Sequence, residues 1–394
     1  MKPLAELKGQ FLQELSKLKE VAFNYNYDLA EHPEISGHEF ETVKKIYSIL
    51  EDNNLKIEKE LGGLPTAFKA TVKEDVNSDV RIGILMEFDA LPEVGHACGH
   101  SASGSLSMLA ALALSKMTEN LEGNIDLIGT PDEEVAGRKI DLGKQGYFDN
   151  YNYVIMIHMN SNVTWPAVKF LALSDLEINF TGMPAHASAS PWEGKNALNG
   201  AMLALHGMDM LRQHVKSDTR ISSIITKGGE STNVIPAKAQ IQTALRSSDR
   251  AYLDKVEKKV KKCADGAAMA TETEVEYHNI NADFADMKLN EPGIDTIRDV
   301  MRELDVPFEE DDGSMLASSD IGNVSHICPA FHPMLAVSDK YFAHHTPEFA
   351  AAMKTDHIRD VIEIGAKIIG FFILTTLTDP ELLKKIKQDF AENK

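Results

Sequence analysis

Cysteine is scarce in this chain. Cys98, Cys263 and Cys328 are the whole supply, too few and too scattered for a disulfide framework. That excludes a small stapled secreted fold and fits a reducing compartment. Positive charge is also short: 40 Lys and Arg stand against 60 Asp and Glu, a formal net charge of −20. A phosphate-backbone partner needs a basic surface, so no nucleic acid is expected. The acid surplus suits cationic substrates, or simply keeps the surface soluble. Long apolar runs are missing as well. Residues 368–374, the longest pure run near the end, fall far short of the roughly 20 that span a bilayer. They read as a buried helix segment, and no membrane partner is expected. Residues 1–20 are Lys/Glu-rich and amphipathic, not a basic stretch followed by an apolar one. The expectation is therefore no signal peptide and a cytoplasmic location. The chain shows no internal repeat and no low-complexity tract.

At 394 residues the chain exceeds one typical core, and two domains are the default. Residues 1–24 read as one or two amphipathic helices, with Leu4, Leu7, Phe11, Leu15 and Leu18 at three- and four-residue steps. His32-Pro33-Glu34 breaks that pattern, and residues 39–50 resume a helix. Residues 68–72, 81–86, 124–129 and 153–157 read as strands. Residues 101–116, rich in small side chains, read as a helix packed closely on a sheet. This alternation indicates a mostly parallel α/β sheet. The pattern changes near Leu173. Strands at 175–180, 220–226, 239–246 and 274–278, with helices at 196–214 and 252–270, follow the order β-α-β-β-α-β of the ferredoxin-like split unit. After Asn290 the chain again reads helix–strand–helix. The expected architecture is an α/β metal-binding domain from residues 1–174 and 290–394, carrying an inserted α+β domain at 175–289.

The chemistry concentrates in residues 87–100, Glu-Phe-Asp-Ala-Leu-Pro-Glu-Val-Gly-His-Ala-Cys-Gly-His, straight after an apolar strand. Open α/β sheets place ligands at the carboxyl ends of strands. Cys98 and His100 offer a thiol and an imidazole there. Glu133 and Glu134 follow the next strand, and His158 the one after. His344-His345-Thr346 comes late, before a helix opened by Pro347. One thiolate, one or two carboxylates and several imidazoles suit Zn²⁺, with Mn²⁺ or Co²⁺ as alternatives. A bridging thiolate would let two ions sit together. One glutamate of the 133–134 pair can bind metal while the other takes a proton from water. Taken singly, each signal has a plain reading. Cys98 could be an inert buried thiol, Glu133-Glu134 a solvated pair or helix-start charge, and His158 a satisfied core histidine. Their coincidence at successive strand ends argues for a metal site.

The motifs run along nearly the whole chain. They include His32-Pro33-Glu34, residues 87–92, Gly95-His96-Ala97-Cys98-Gly99-His100, Gly129-Thr130-Pro131-Asp132-Glu133-Glu134 with Lys139, residues 180–187, Asn233-Val234-Ile235-Pro236, residues 319–325 and His345-Thr346. In these the chain resembles the M20 metallopeptidase/amidohydrolase family, in its Cys-containing amidohydrolase branch. Within that branch it is most similar to the aminobenzoyl-glutamate hydrolase B-like and peptidase M20 domain-containing protein 2-like group. The resemblance implies a metallohydrolase domain with a ferredoxin-like dimerisation (lid) insertion, working as a homodimer on a small N-acyl amino acid or dipeptide. It implies one or two divalent ions per subunit, with Cys98 as bridging ligand and His100, Glu134, His158 and His345 as the others. Glu133 would be the general base and acid. Asp89 would orient a metal ligand. His186, on the insertion, would reach the active site of a partner subunit and polarise the scissile carbonyl. Asn233 and Arg246 would hold the substrate's carboxylate end. His344 competes with His345 for the ligand role.

Two positions depart from the family pattern. Ser101 stands where much of the branch has an acid, and Val135-Ala136-Gly137-Arg138 is less glycine-rich than is common. They motivate an alternative, a catalytically weak binding or regulatory protein on a retained fold. A further alternative makes Cys98 a nucleophile beside a histidine, which leaves Glu133, Glu134 and His345 without a task.

Overall fold

The computed structural model describes residues 2–313 and 317–393. The chain divides into two units, Met1–Lys169 with Met287–Lys394, and Phe170–Asp286.

The first unit opens with α1 (Leu4–Glu31), one uninterrupted helix whose Leu7, Phe11, Leu15, Ala22 and Leu29 face the core. It runs unbroken to the His32-Pro33 step, where proline cannot continue a helix. Next comes α2 (Phe40–Asp52), whose first amides are capped by the Glu34 carboxylate, which accepts from Glu41 N–H at 3.2 Å and Thr42 N–H at 2.7 Å. There follow β1 (Lys56–Lys59), β2 (Phe68–Lys73), β3 (Arg81–Met86), α3 (His100–Ser115), β4 (Asn124–Gly129), α4 (Arg138–Lys144), β5 (Tyr153–Ile155) and β6 (His158–Asn160).

One sheet runs β1-β2-β4-β3-β5 and ends on a strand from the C-terminal part of the chain. Its β3 pairs parallel with β4 and β5, whereas β1 with β2 and β2 with β4 are antiparallel. The sheet is thus mixed, not simply parallel. A short link joins β1 to β2 and permits their antiparallel pairing, while the parallel β3–β4 pair is joined by a crossover through α3. Strand β3 is buried along all but its first residue, as a central parallel strand must be. Helix α3 is buried over its whole length except its last residue. A Cβ at Gly104 would lie 2.4 Å from the Glu87 carbonyl oxygen, so the absence of a side chain there lets α3 rest on the chain leaving β3.

The second unit contains β7 (Ala172–Thr181), α5 (Ala197–Leu211), β8 (Arg220–Lys227), β9 (Lys238–Ser247), α6 (Arg250–Thr271) and β10 (Glu274–Asn279). Its sheet order is β10-β7-β9-β8, with every pair antiparallel. Strands β7 and β8 therefore point the same way with β9 between them, the split β-α-β arrangement. The unit has its own core, built on Leu176, Ile178, Phe180, Met208, Ile241, Leu245, Val256 and Val260. Its limits fall a few residues earlier than the expected 175 and 289. Strand β7 already begins at Ala172, and a bridge between Leu173 and Phe284 ties the entering chain to the leaving chain.

The chain then completes the first unit with α7 (Glu291–Glu303), α8 (Ile321–Ser325), β11 (Ala330–Phe331), β12 (Met334–Ala336), α9 (Pro347–Ala352), α10 (His357–Thr378) and α11 (Pro380–Glu392). Strand β11 joins β5 in parallel, and β12 pairs with β6 in a separate two-stranded sheet. His158 therefore does not end the β5 strand, as the apolar run suggests, but opens β6. Helix α10 is long and apolar enough to cross a membrane by length and composition. Here it is mostly buried, against α1, α3 and α7.

Candidate active site

Four segments of the first unit converge: the chains leaving β3 and β4, the start of β6 with His158, and the loop before α9. The chain leaving β3 carries Glu87 and Asp89, then turns tightly where Leu91 and Gly95 exchange backbone hydrogen bonds of 3.0 and 3.1 Å. Gly99 has φ +89°, and a Cβ there would lie 2.5 Å from Met159 Cβ. Only glycine takes both constraints cheaply, and it delivers His100 to the start of α3 with Cys98 just before it. The chain leaving β4 carries Glu133 and Glu134. It is anchored by Asp132 N–H to Glu39 Oε1 at 2.9 Å and by Glu134 N–H to Asp89 Oδ2 at 3.1 Å. The less glycine-rich loop that follows is held by Arg138 Nε on Asp132 Oδ2 at 3.0 Å. His345 has φ +62°, and its N–H donates to Ala97 O at 3.0 Å, so the last loop is tied to the Cys98 loop.

Side-chain donors form overlapping sets whose ligand atoms lie within 4.8 Å of one another: Cys98, His100 and His158; Cys98, Glu134 and His345; His100, Glu133 and Glu134. Cys98 Sγ is 3.4 Å from His158 Nε2, and His345 Nε2 is 3.6 Å from Glu134 Oε2. Cys98, His100 and Glu134 each take part in two of these sets, the geometry of a shared centre. His345, not His344, joins these sets; the His344 ring packs edge-on to Phe349.

The ring orientations are set from behind. His158 Nδ1 lies 2.7 Å from Met159 O, which fixes N–H there and turns Nε2 inward. His100 Nδ1 faces Asp89, 3.0 Å from its carbonyl and 2.9 Å from Oδ1. Backing of this kind is what metal-binding histidines require. Among the described residues, buried His100 Nε2, Glu87 Oε2 and Glu134 Oε1 make no hydrogen bond, although His100 Nε2 stands 3.2 Å from Glu87 Oε2 and 3.9 Å from Glu134 Oε1. Orphaned polar atoms deep in a fold are costly, and a divalent cation among these donors would satisfy them. The residues present fit such an ion.

The charges agree. Burial, then the Glu134 carboxylate, pushes the Cys98 thiol well up. Burial, then the His100 charge, holds His158 well below its ordinary value. For His100 burial acts against charge, but Asp89 and Glu87 overcome it and raise the imidazole well up. Burial, followed by Glu87, Asp320 and Glu134, raises Glu133 well above the carboxylate range, against the pull of Lys139. These shifts describe a carboxylate-rich hole in need of positive charge.

A second buried group borders the first. Glu87, Glu133 and Asp320 present oxygens within 4.8 Å of one another. Lys139 Nζ lies among them, donating to Glu87 Oε1 at 2.5 Å and Asp320 Oδ1 at 2.6 Å. In the sequence Lys139 and Asp320 stand within motifs but carry no assigned role. The only signal available is an acid and a base within two of the motifs, 181 positions apart.

Ser101, the departure from the branch pattern, is buried in α3, its Oγ without a hydrogen bond among the described residues. Neither it nor the altered loop removes a donor from the sets above.

In the second unit, His186 Nδ1 accepts hydrogen bonds from Ser188 N–H at 3.2 Å and Ala189 N–H at 3.1 Å. Nδ1 is therefore the accepting nitrogen, which leaves Nε2 as the one that carries a ring proton. Ala187 N–H donates to Asn233 O at 2.9 Å, which brings the His186 and Asn233 segments together. Arg246 is elsewhere. It lies near the far end of β9, opposite Leu173 and Arg220, about 26 Å along the strand at about 3.3 Å per residue from Lys238, where the Asn233 segment enters β9. One subunit's Asn233 and Arg246 do not hold the same carboxylate.

Residues 81–371 match the model of peptidase family M20/M25/M40. The human Xaa-Arg dipeptidase is 31% identical over 344 residues, spanning 83% of this chain and 78% of that protein. A p-aminobenzoyl-glutamate hydrolase polypeptide of Escherichia coli K12 is 30% identical over 266 residues, 62% of this chain and 55% of that one. A solved Bacillus subtilis structure, described as a dinuclear metal binding peptidase of the M20 family, superimposes with TM-score 0.73 at 19% identity over 92% of this chain and 99% of that one. Fold, donor set and sequence coincide: the chain belongs to peptidase family M20/M25/M40 and is an enzyme of its amidohydrolase and dipeptidase kind.

Proposed function

We propose that the protein hydrolyses the amide bond of a small dipeptide or N-acyl amino acid, with Glu133 as general base and acid. One observation carries this reading: a second glutamate, Glu133, stands within 4.8 Å of His100 and Glu134. Cys98, His100, Glu134, His158 and His345 would hold one or two divalent ions, with Cys98 shared. Thiolate and imidazole favour Zn²⁺, and Mn²⁺ or Co²⁺ also suit the carboxylate-bearing set. Such an ion supplies Lewis acidity, making water acidic near neutral pH and polarising a carbonyl.

The chain's own residues do the rest. Glu133 accepts the proton of the attacking water and hands it to the leaving amine. Asp89 keeps His100 oriented. His186 of the partner subunit donates Nε2–H to the developing oxyanion, the tautomer its two backbone donors select. Asn233 and Arg246 bind the substrate's carboxylate end, one from each subunit, since within one subunit they stand apart. The apolar side chains exposed on α5 and on the edge strand β8 form the dimer face.

The relatives' names point to dipeptides ending in arginine and to N-acyl glutamates, and the net charge of −20 favours the cationic group. The test is a hydrolysis panel of Xaa-Arg, Xaa-Lys and β-alanyl dipeptides, N-acyl amino acids and p-aminobenzoyl-glutamate. Turnover is expected to vanish with chelator and return with Zn²⁺, Mn²⁺ or Co²⁺. Glu133→Gln should retain metal and lose kcat on the order of 10²- to 10⁴-fold. Full turnover in metal-loaded Glu133→Gln removes the base assignment. Chelator-insensitive, alkylation-sensitive turnover makes Cys98 a nucleophile instead.

A further inference from the structure

We propose that Lys139 is a positioning residue for the general base: its ammonium, gripping Glu87 and Asp320, sets where the Glu133 carboxylate sits. This rests on the hydrolase reading above. Lys139 has no solvent exposure, and two of its three donors go to Glu87 Oε1 and Asp320 Oδ1 at 2.5 and 2.6 Å. Its backbone N–H donates to Asp320 Oδ2 at 3.0 Å, so Asp320 clasps Lys139 at both ends. Glu133 shares this pocket, its oxygen within 4.8 Å of those of Glu87 and Asp320. Like charges so close in a buried site repel one another strongly. A cation among them removes the incentive to spread.

The connectivity points the same way. Glu133 lies on the loop between Asp132 and Lys139. Arg138 pins one end through Asp132, and Lys139 pins the other through Glu87 and Asp320. Glu87 leaves β3 and Asp320 precedes α8, so one ammonium fastens this loop to two separate parts of the unit. A compact ammonium suits this task, and the flat fork of arginine does not.

The experiment compares the wild type with Lys139→Arg and with the charge-balanced double variant Lys139→Met/Asp320→Asn. It reads melting temperature, bound metal per chain, kcat and KM on a substrate the wild type cleaves, and a crystal structure of each. The double variant is expected to keep metal and KM within about threefold. Its Glu133 carboxylate should move by about 1 Å, with kcat down on the order of 10²-fold. Lys139→Arg should restore less than about a tenth of wild-type kcat. A double variant with Glu133 unmoved and kcat intact overturns the proposal, because Lys139 would then only balance charge. Loss of metal from the double variant also overturns it, because Lys139 would then act on the donor set. If the double variant fails to fold, wild-type kcat in Lys139→Arg does the same. A wild type that cleaves nothing is a failure of the hydrolase reading, and the position of Glu133 in the variant structures still decides the role of Lys139.

Discussion

The Glu39 carboxylate is fully buried, and its three hydrogen bonds come from neutral donors. Oε1 accepts from Gly37 N–H at 2.8 Å and Asp132 N–H at 2.9 Å, and Oε2 from Thr66 O–H at 3.1 Å. Burial, then the nearby Asp89 charge, raises it from 4.5 to about 7. Folded Glu39 thus binds a proton that the unfolded chain has released between those values. Its contribution is complete below pH 4.5 and is lost as pH rises through 7, a swing of about 3 kcal/mol. Glutamine keeps the shape, and Thr66 can accept from its amide. Glu39→Gln is therefore expected to match the wild type at about pH 5 and exceed it at about pH 8 in urea unfolding. Parallel curves across that range would show that Glu39 does not titrate there. This residue also marks what one chain's sequence leaves silent. Cys98, His100, Glu133, Glu134, His158 and His345 announce themselves by residue type at strand ends. Glu39 and Lys139 acquire their tasks only through burial and partners far away in the chain.

At the scale of elements, β3 and β4 occupy the ranges their mostly apolar runs predict, because a buried central strand needs an apolar stretch. Strand β1 is not legible in the sequence, and the one strand expected between helices after Asn290 is in fact two, β11 and β12. All three are two to four residues long, and pairing, not their own pattern, makes them strands. The split between β5 and β6 is of the same kind: Met156-Ile157 continues the apolar run while the partner changes from β11 to β12. Close packing of α3 on β3 is readable from its small residues, and it can be tested at Gly104. A methyl there would meet the Glu87 carbonyl oxygen at 2.4 Å, a backbone atom that cannot swing aside. Gly104→Ala should cost about 1–3 kcal/mol. Because His100 opens α3 and Glu87 follows β3, the variant should also bind divalent metal more weakly. Thermal unfolding and metal titration check both, and an unchanged metal affinity would separate the helix position from the site.

At the scale of the whole molecule, the order β-α-β-β-α-β is readable because each element of the second unit is long enough to carry its own period. The assembly must be argued from what that unit leaves exposed. Strand β8 pairs only with β9 among the described residues and so has a free edge, and it exposes Ile224 and Ile225. Helix α5 exposes Met202, Leu203 and Met210. A bare apolar edge invites another chain, and proteins that stay alone usually protect it with charge or proline. Arg220 and Lys227 bracket this strand, but its middle carries none. A two-fold pairing of identical edges would cover both copies at once. Sedimentation should find the wild type dimeric at micromolar concentration, and Ile224→Lys with Met202→Lys should shift it to monomer without loss of helix signal. If His186 serves a neighbour's site, that monomer will retain its metal yet lose turnover. A monomer that cleaves substrate at the wild-type rate would return His186 to its own subunit or remove it from the reaction.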